Sequence, residues 1–287
     1  MRDRSPSPLI IIGMHRSGTA MIAQVLERLG LFTGRKKQQN HETLFFMNIN
    51  DWLLHQSCAS WDYPEPFHFL LENKEIRTLA ADYMHSMVRT PAVASFLGWR
   101  KCLRYRSLFN LNFPWGWKDP RNTYTLPLWL EIFPDARVIH IRRNGVDVAN
   151  SLVMREQRAF ENKKSRYLAR RAFYRVRPKR GGFTDSIRCI SLEGAFSLWE
   201  EYLKEARKHV TALGSGALDL KYENLVSDPH KLLRQLAGFC DLEVSDSDIQ
   251  RVSVLVKKDR AYAYKENPAL LAFAERVGDR LTAQGYY

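Results

Sequence analysis

The stretch PLIIIGMHRSGTA at positions 8–20 decides how the chain is read. Leu9, Ile10, Ile11 and Ile12 form a short unbroken apolar run, the pattern of a parallel strand covered on both faces. Turn residues follow from Gly13 to Thr19. Ile22, Val25, Leu26 and Leu29 then recur at helical spacing up to Gly30, which stands where a helix C-terminus wants it. Strand, glycine-bounded loop and helix together make the layout of a phosphate cradle. Glycines let backbone N–H groups converge on an anion, and the helix N-terminus adds its partial positive charge. Thr19 offers a hydroxyl donor and Arg16 a full charge.

The loop departs from the ATP-binding version. G-x-x-x-x-G-K-[ST] requires Lys and Ser or Thr after the second glycine, and Thr19-Ala20 occupies that place. The lysine that reaches the terminal phosphates is missing, and the magnesium-holding hydroxyl falls on Ala20. Such a loop suits a nucleotide whose reacting group is not a γ-phosphoryl. The bland alternative is a plain strand-to-helix turn.

Two more strand–turn–helix patterns lie downstream. At 136–153, Val138, Ile139 and Ile141 lead into Arg142-Arg143-Asn144-Gly145, and Val146, Val148, Ala149 and Leu152 follow at helical spacing. At 217–242, Leu218, Leu220 and Tyr222 alternate as a strand, and Asp228-Pro229 reads as an N-cap with Pro at the first helical position. Residues 31–112 read as mainly helical with irregular loops, with amphipathic pieces at 48–54 and 76–88. Strands alternating with helices predict an α/β, three-layer fold with a central, mainly parallel sheet flanked by helices. No repeat and no proline- or glycine-rich linker divides the chain, so one domain with insertions is expected over 1–287.

Composition narrows the class. Of the 287 residues 45% are hydrophobic and 26% charged, which excludes wholesale disorder. The run at Leu9–Ile12 is far too short to span a bilayer, and the polar first eight residues do not read as a signal peptide. Cys58, Cys102, Cys189 and Cys240 have no paired spacing, which argues against a disulfide scaffold or zinc site and predicts a reducing, cytoplasmic setting. The net charge of +13 favours an anionic partner: nucleic acid, a phosphorylated cofactor, an acidic glycan or a membrane surface. Residues 155–180 hold eleven basic side chains against only Glu156 and Glu161. That segment, within a basic insertion at 155–188, is either a solvated helix face plus loop or a basic lid or docking surface.

Residues 8–20 resemble the 5′-phosphosulfate loop of sulfotransferases that use 3′-phosphoadenosine 5′-phosphosulfate (PAPS), in the form common among bacterial members. Three further segments extend the resemblance in family order: WGWKDPR at 115–121, RVIHIRRNGVDVANSL at 137–152, similar to the family's RDGRDVAxS, and KYENLVSDP at 221–229, like YEDLVxDP. The resemblance covers roughly residues 8–242. It implies transfer of a sulfuryl group from PAPS to a hydroxyl or amine, with release of PAP and without metal. The acceptor expected is a glycan or a small metabolite, and the basic segment hints at an acidic glycan or at peripheral contact with an anionic membrane.

The resemblance also assigns residues. Arg16, Ser17, Gly18, Thr19 and the Ala20 backbone would hold the 5′-phosphosulfate, while Arg143 and Ser151 would bind the 3′-phosphate. A guanidinium with a hydroxyl suits that dianion. Asn144 and Val146 replace the usual Asp and Arg without removing a phosphate ligand. Tyr222 would approach the adenine. Lys118 would stand against the sulfuryl group, where a fixed cation stabilises the bridging oxygen as PAP departs. An alcohol acceptor needs a general base, and the candidates are Glu42, Asp119 and His15, with Asp119 equally suited to orienting Lys118 or Arg121. Tyr262, Tyr264, Tyr286 and Tyr287 are candidates to line the acceptor side.

Two rivals remain at this stage. A nucleoside kinase or P-loop NTPase lacks its Lys–Ser/Thr pair here, and a basic nucleic-acid-binding module lacks any recognisable motif. No G-x-S-x-G or H-E-x-x-H occurs, and the histidines are scattered, so no metal site is expected.

Overall fold

An unbroken apolar strand needs partners on both sides and cover on both faces, and β1 (Leu9–Ile12) has all four residues buried. In the computed structural model, which describes residues 6–256 and 260–286, β1 lies between β2 (Gly116–Lys118) and β3 (Arg137–Arg142). The fourth strand, β4 (Ala217–Lys221), pairs with the far side of β3, giving the order β2-β1-β3-β4 with every pairing parallel. Register sets Ile11 opposite Lys118 and Ile139, and Arg142 opposite Lys221. The expected α/β fold with a central parallel sheet and flanking helices is what forms, and it is P-loop-like.

Between β1 and β2 run α1 (Thr19–Arg28), α2 (Leu44–His55), α3 (Phe67–Glu72), α4 (Lys74–Met87), α5 (Ala94–Leu97) and α6 (Trp99–Tyr105). After β2 come α7 (Asn122–Ile132), then α8 (Gly145–Ala169) and α9 (Leu192–Leu213). The chain continues after β4 with α10 (Tyr222–Ser227), α11 (Pro229–Phe239), α12 (Asp246–Ser253), α13 (Pro268–Arg276) and α14 (Gly278–Ala283). Among the described residues no helix is long and apolar enough to cross a membrane.

The chain divides into two compact units, Met1–Arg143 with Tyr202–Arg260, and Asn144–Glu201 with Ala261–Tyr287. The first holds the whole sheet. Its α2 buries Phe45, Phe46, Ile49, Leu53 and Leu54. Phe46 stacks on Trp117 of β2 at 3.9 Å between ring centroids, and Trp129 of α7 meets it edge-on at 5.2 Å. Each such side chain contributes about 1.5–3 kcal/mol through burial, so this aromatic cluster fixes β2 against α2 and α7.

The third strand–helix pattern forms as expected at its helix start: Asp228 accepts from the Lys231 N–H at 3.1 Å, with Pro229 leading α11. Its strand ends one residue sooner than the alternation predicts. The pairing of β3 stops at Arg142, opposite Lys221, so no ladder remains for Tyr222, which opens α10 instead.

In the second unit α8 begins at Asn144, whose Oδ1 accepts from the Val146 N–H at 2.9 Å. Asn144, where the motif it resembles carries Asp, is therefore a helix cap. This helix continues far beyond residue 153, through much of the basic segment, to Ala169. Phe196, Trp199, Phe273 and Tyr286 pack together in this unit's core.

Candidate active site

The loop after β1 is shaped by its glycines. Gly18 has φ 103°, and a Cβ there would stand 2.7 Å from the ring of Tyr222. At Gly13 a Cβ would stand 2.4 Å from the Ile141 carbonyl oxygen. Arg16 also adopts a left-handed φ of 70°, a conformation that costs a non-glycine residue about 1–2 kcal/mol. Gly18 is the N-cap of α1 and the helix has no side-chain cap, no acidic residue in its first turn, and a first internal bond from the Ile22 N–H to the Gly18 carbonyl at 3.1 Å. The N–H groups of Thr19, Ala20 and Met21 thus have no acceptor within the helix, the condition for an anion site.

Not every loop residue faces a ligand. Ser17, expected among the cofactor ligands, is buried, and its hydroxyl bonds the Met14 and Ile141 carbonyls at 2.6 and 3.0 Å. Its own N–H donates to the Met14 carbonyl at 3.2 Å. Both donors of Ser17 tie the loop to itself and to β3. The Gly13 N–H likewise donates to Thr123 Oγ1 at 3.1 Å, so α7 braces the loop from outside.

Arg143 follows β3 immediately. Its guanidinium carbon lies 5.0 Å from the centroid of the Tyr222 ring, and its Nη1 donates to the Arg16 carbonyl at 3.5 Å. Nη2 donates to the Arg260 carbonyl. Arg143, Tyr222, Gly18 and Arg16 are therefore brought together at the carboxyl ends of β1, β3 and β4.

Lys118 ends β2. It is 3% exposed, and its Nζ donates to Glu42 Oε1 at 2.8 Å and to the Asn40 carbonyl at 2.9 Å. Glu42 is 6% exposed. It sits on a short bend closed by an antiparallel bridge between Lys37 and Thr43, in which the Gln38 N–H donates to the Glu42 carbonyl at 2.8 Å. His41 in the same bend has φ 62°. Burial first, then the charge of Lys37, holds the His41 pKa below the ordinary histidine value. Two sequence candidates, Lys118 and Glu42, thus form one buried ion pair.

The other two candidate bases are held differently. Asp119 is fully buried: Oδ2 accepts from Asn50 Nδ2 at 2.9 Å, and Oδ1 from the Arg121 N–H at 3.0 Å and Arg121 Nη1 at 3.1 Å. Both oxygens are occupied in positioning the turn after Lys118. The ring of His15 lies edge-on to Trp61 at 4.9 Å and to Tyr202 at 6.5 Å, inside an aromatic pocket.

Asn50 is the residue that sequence reasoning missed. It is fully buried and uses all four of its hydrogen-bonding positions. Nδ2 reaches Asp119 and Asn122 Oδ1 (2.8 Å), and Oδ1 accepts from Thr125 Oγ1 at 2.9 Å and Trp129 Nε1 at 2.8 Å. Through it, the helix that follows Glu42 is bolted to the turn that follows Lys118. Arg121, missed as a site residue, completes the arrangement by pairing with Asp51 at 2.7 Å.

Ser151 belongs to the second unit, where it is half-buried on the second turn of α8. Of the C-terminal tyrosines in that unit, Tyr264 and Tyr286 are buried, and the Tyr264 N–H donates to Asp147 Oδ1 at 2.9 Å. Tyr287 lies outside the described residues. Among the described residues, no group of three or more His, Cys, Asp or Glu side chains is placed to hold a metal ion.

Among solved structures, the sulfotransferase domain from the curacin biosynthetic pathway is 13% identical over 96% of this chain and 98% of its own, with a TM-score of 0.52, and has this fold. The sulfotransferase domain of the Synechococcus PCC 7002 olefin synthase is 16% identical over 93% of this chain and 86% of its own, with a TM-score of 0.46. A mouse sulfotransferase solved in complex with PAP is 14% identical over 90% of this chain and 66% of its own, with a TM-score of 0.44. No curated protein sequence matches the chain. The model of the sulfotransferase family matches residues 8–246, from β1 to the start of α12. The chain is a member of the sulfotransferase family.

Proposed function

We propose that this sulfotransferase moves a sulfuryl group from PAPS to a hydroxyl or amine of a glycan or small-molecule acceptor, releases PAP and uses no metal. The observation that carries the reading is the edge of one parallel sheet where an uncapped helix start, the Arg143–Tyr222 pair and the buried Lys118–Glu42 pair converge. Open α/β sheets bind their ligands at such carboxyl edges.

When bound, PAPS supplies a sulfuryl group on a phosphate leaving group. The N–H groups of Thr19, Ala20 and Met21, with Arg16, hold its 5′ end. Arg143 takes the 3′-phosphate, and the Tyr222 ring, already against Gly18, borders the adenine. Glu42 accepts the proton of the acceptor hydroxyl as the new oxygen–sulfur bond forms and the bridging sulfur–oxygen bond breaks. Lys118 stabilises the charge that collects on the departing oxygen. The two roles are linked: a proton on Glu42 would cancel the charge that pairs with Lys118 and leave its cation available to the leaving oxygen. A reducing, cytoplasmic setting fits the four free cysteines.

The test is thermal stabilisation by PAP against magnesium-ATP, on the native chain and on Arg143→Ala. At a hundred times Kd a ligand adds about 2.7 kcal/mol to stability, enough to read as a melting shift. A metal-independent shift with PAP that Arg143→Ala abolishes is expected. No shift with PAP, or a larger one with magnesium-ATP, overturns the reading in favour of a kinase.

A further inference from the structure

The second unit carries a feature that the transfer chemistry does not use. Glu156, one of only two acids in the basic segment, is fully buried on α8 and accepts from the Asp185 and Ser186 N–H groups at 2.9 and 3.0 Å. It clamps the base of an excursion that leaves along α8 and returns at residue 185. Tyr167 stacks on Tyr174 at 5.8 Å and meets Phe183 edge-on at 5.2 Å, so the excursion folds on itself.

At its outer end charge and apolar surface are mixed. Arg170, Arg171, Arg175, Arg177 and Arg180 are all exposed. Among the described residues none of these five forms an ion pair; the nearby carboxylates Asp185 and Glu161 pair with Lys163 and Lys164. Interleaved with them stand Leu168 (57% exposed), Phe173 (52%) and Val176 (85%). Residues 168–180 contain no acid at all.

We propose that this tip docks on the surface of an anionic lipid bilayer, with the arginines at the headgroups and Leu168, Phe173 and Val176 in the acyl boundary. Charge complementarity selects an anionic partner, and the exposed aliphatic side chains select among anionic partners. An acidic glycan offers Val176 and Leu168 nothing apolar to bury against, and a nucleic-acid duplex turns its phosphates outward and its base faces inward, whereas a bilayer accepts both kinds of side chain in one layer. The inference stands on the second unit alone and does not depend on the proposed transfer reaction.

The experiment is co-sedimentation of the full chain with phosphatidylcholine vesicles, with and without phosphatidylglycerol, across a salt series. Two variants accompany it: Arg175→Gln with Arg177→Gln, and Phe173→Ser with Val176→Ser, each checked for an unchanged melting midpoint. Binding is expected to anionic vesicles only and to fall with salt. Each arginine removed lowers it about fivefold, and the apolar variant lowers it at least about tenfold at unchanged charge. Absence of binding to anionic vesicles by the native chain overturns the proposal. So does binding that the apolar variant leaves intact, which would mark a surface for a soluble polyanion; capture by an acidic protein without vesicle binding counts against it equally.

Discussion

The sheet edge of the first unit and the tip of the second treat charge in opposite ways. At the edge, Lys118, Glu42 and Asp119 are buried and Arg121 is partly buried, and each meets a fixed partner within about 3 Å. At the tip, five arginines stand in solvent among exposed apolar side chains. A buried charge stripped of its partner costs far more than a solvated one, because the survivor stays desolvated. In the first arrangement the loss of one partner leaves the other desolvated. The second is a surface whose charges are individually dispensable for folding.

The sharpest way to break this contrast is to remove one charge from each place. Lys118→Ala is expected to lower turnover at least about a hundredfold and stability by about 3–5 kcal/mol, since Glu42 is left buried. Arg175→Ala should stay within about 0.5 kcal/mol of the native chain. Denaturant unfolding and turnover measure both. A double variant lacking Lys118 and Glu42 recovers stability but not activity; recovery of activity would show that the pair is structural only.

Glycines sharpen the comparison next. Gly18 and Gly30 have nearly the same φ, 103° and 105°, but a Cβ at Gly18 meets Tyr222 whereas one at Gly30 meets nothing within 4 Å. Both alanine variants bear the left-handed cost of about 1–2 kcal/mol. Only Gly18→Ala should also lose the PAP-induced melting shift. Equal losses of that shift would detach the Tyr222 contact from nucleotide binding.

The smallest effect concerns pH. The His41 pKa lies below the ordinary histidine value in the folded chain, chiefly through burial and then through Lys37. The unfolded chain therefore binds a proton that the folded one refuses, and stability drops as pH falls below about 6.5. His41→Gln removes that part of the slope. Unfolding free energies at successive pH values down to the acid range read the difference, and an unchanged slope would place the titration elsewhere.

How far these arrangements were legible follows from range along the chain. The apolar run, the two glycines and the periodic helix behind them lie within residues 8–30, and local pattern suffices to read them. Lys118 and Glu42 were visible only one at a time, through motif and resemblance. Their pairing rests on a bend whose bridge of Lys37 with Thr43 has no clear local signature. Asn50 left no trace, because its partners are 69 to 79 residues away and a buried asparagine on a helix reads as an exposed one. The reach of α8 to Ala169 was also hidden. Arginine and lysine are good helix formers that leave no apolar period behind them.

The contact of Tyr222 with Gly18 has a consequence for how the enzyme comes into being. The loop after β1 is synthesised well before the ring that borders it, which belongs to α10 and follows β4 in the chain. At ordinary rates of synthesis the nascent chain carries the loop for on the order of ten seconds before that ring exists. The contact between Tyr222 and Gly18 therefore forms only after all four described strands of the sheet have been made.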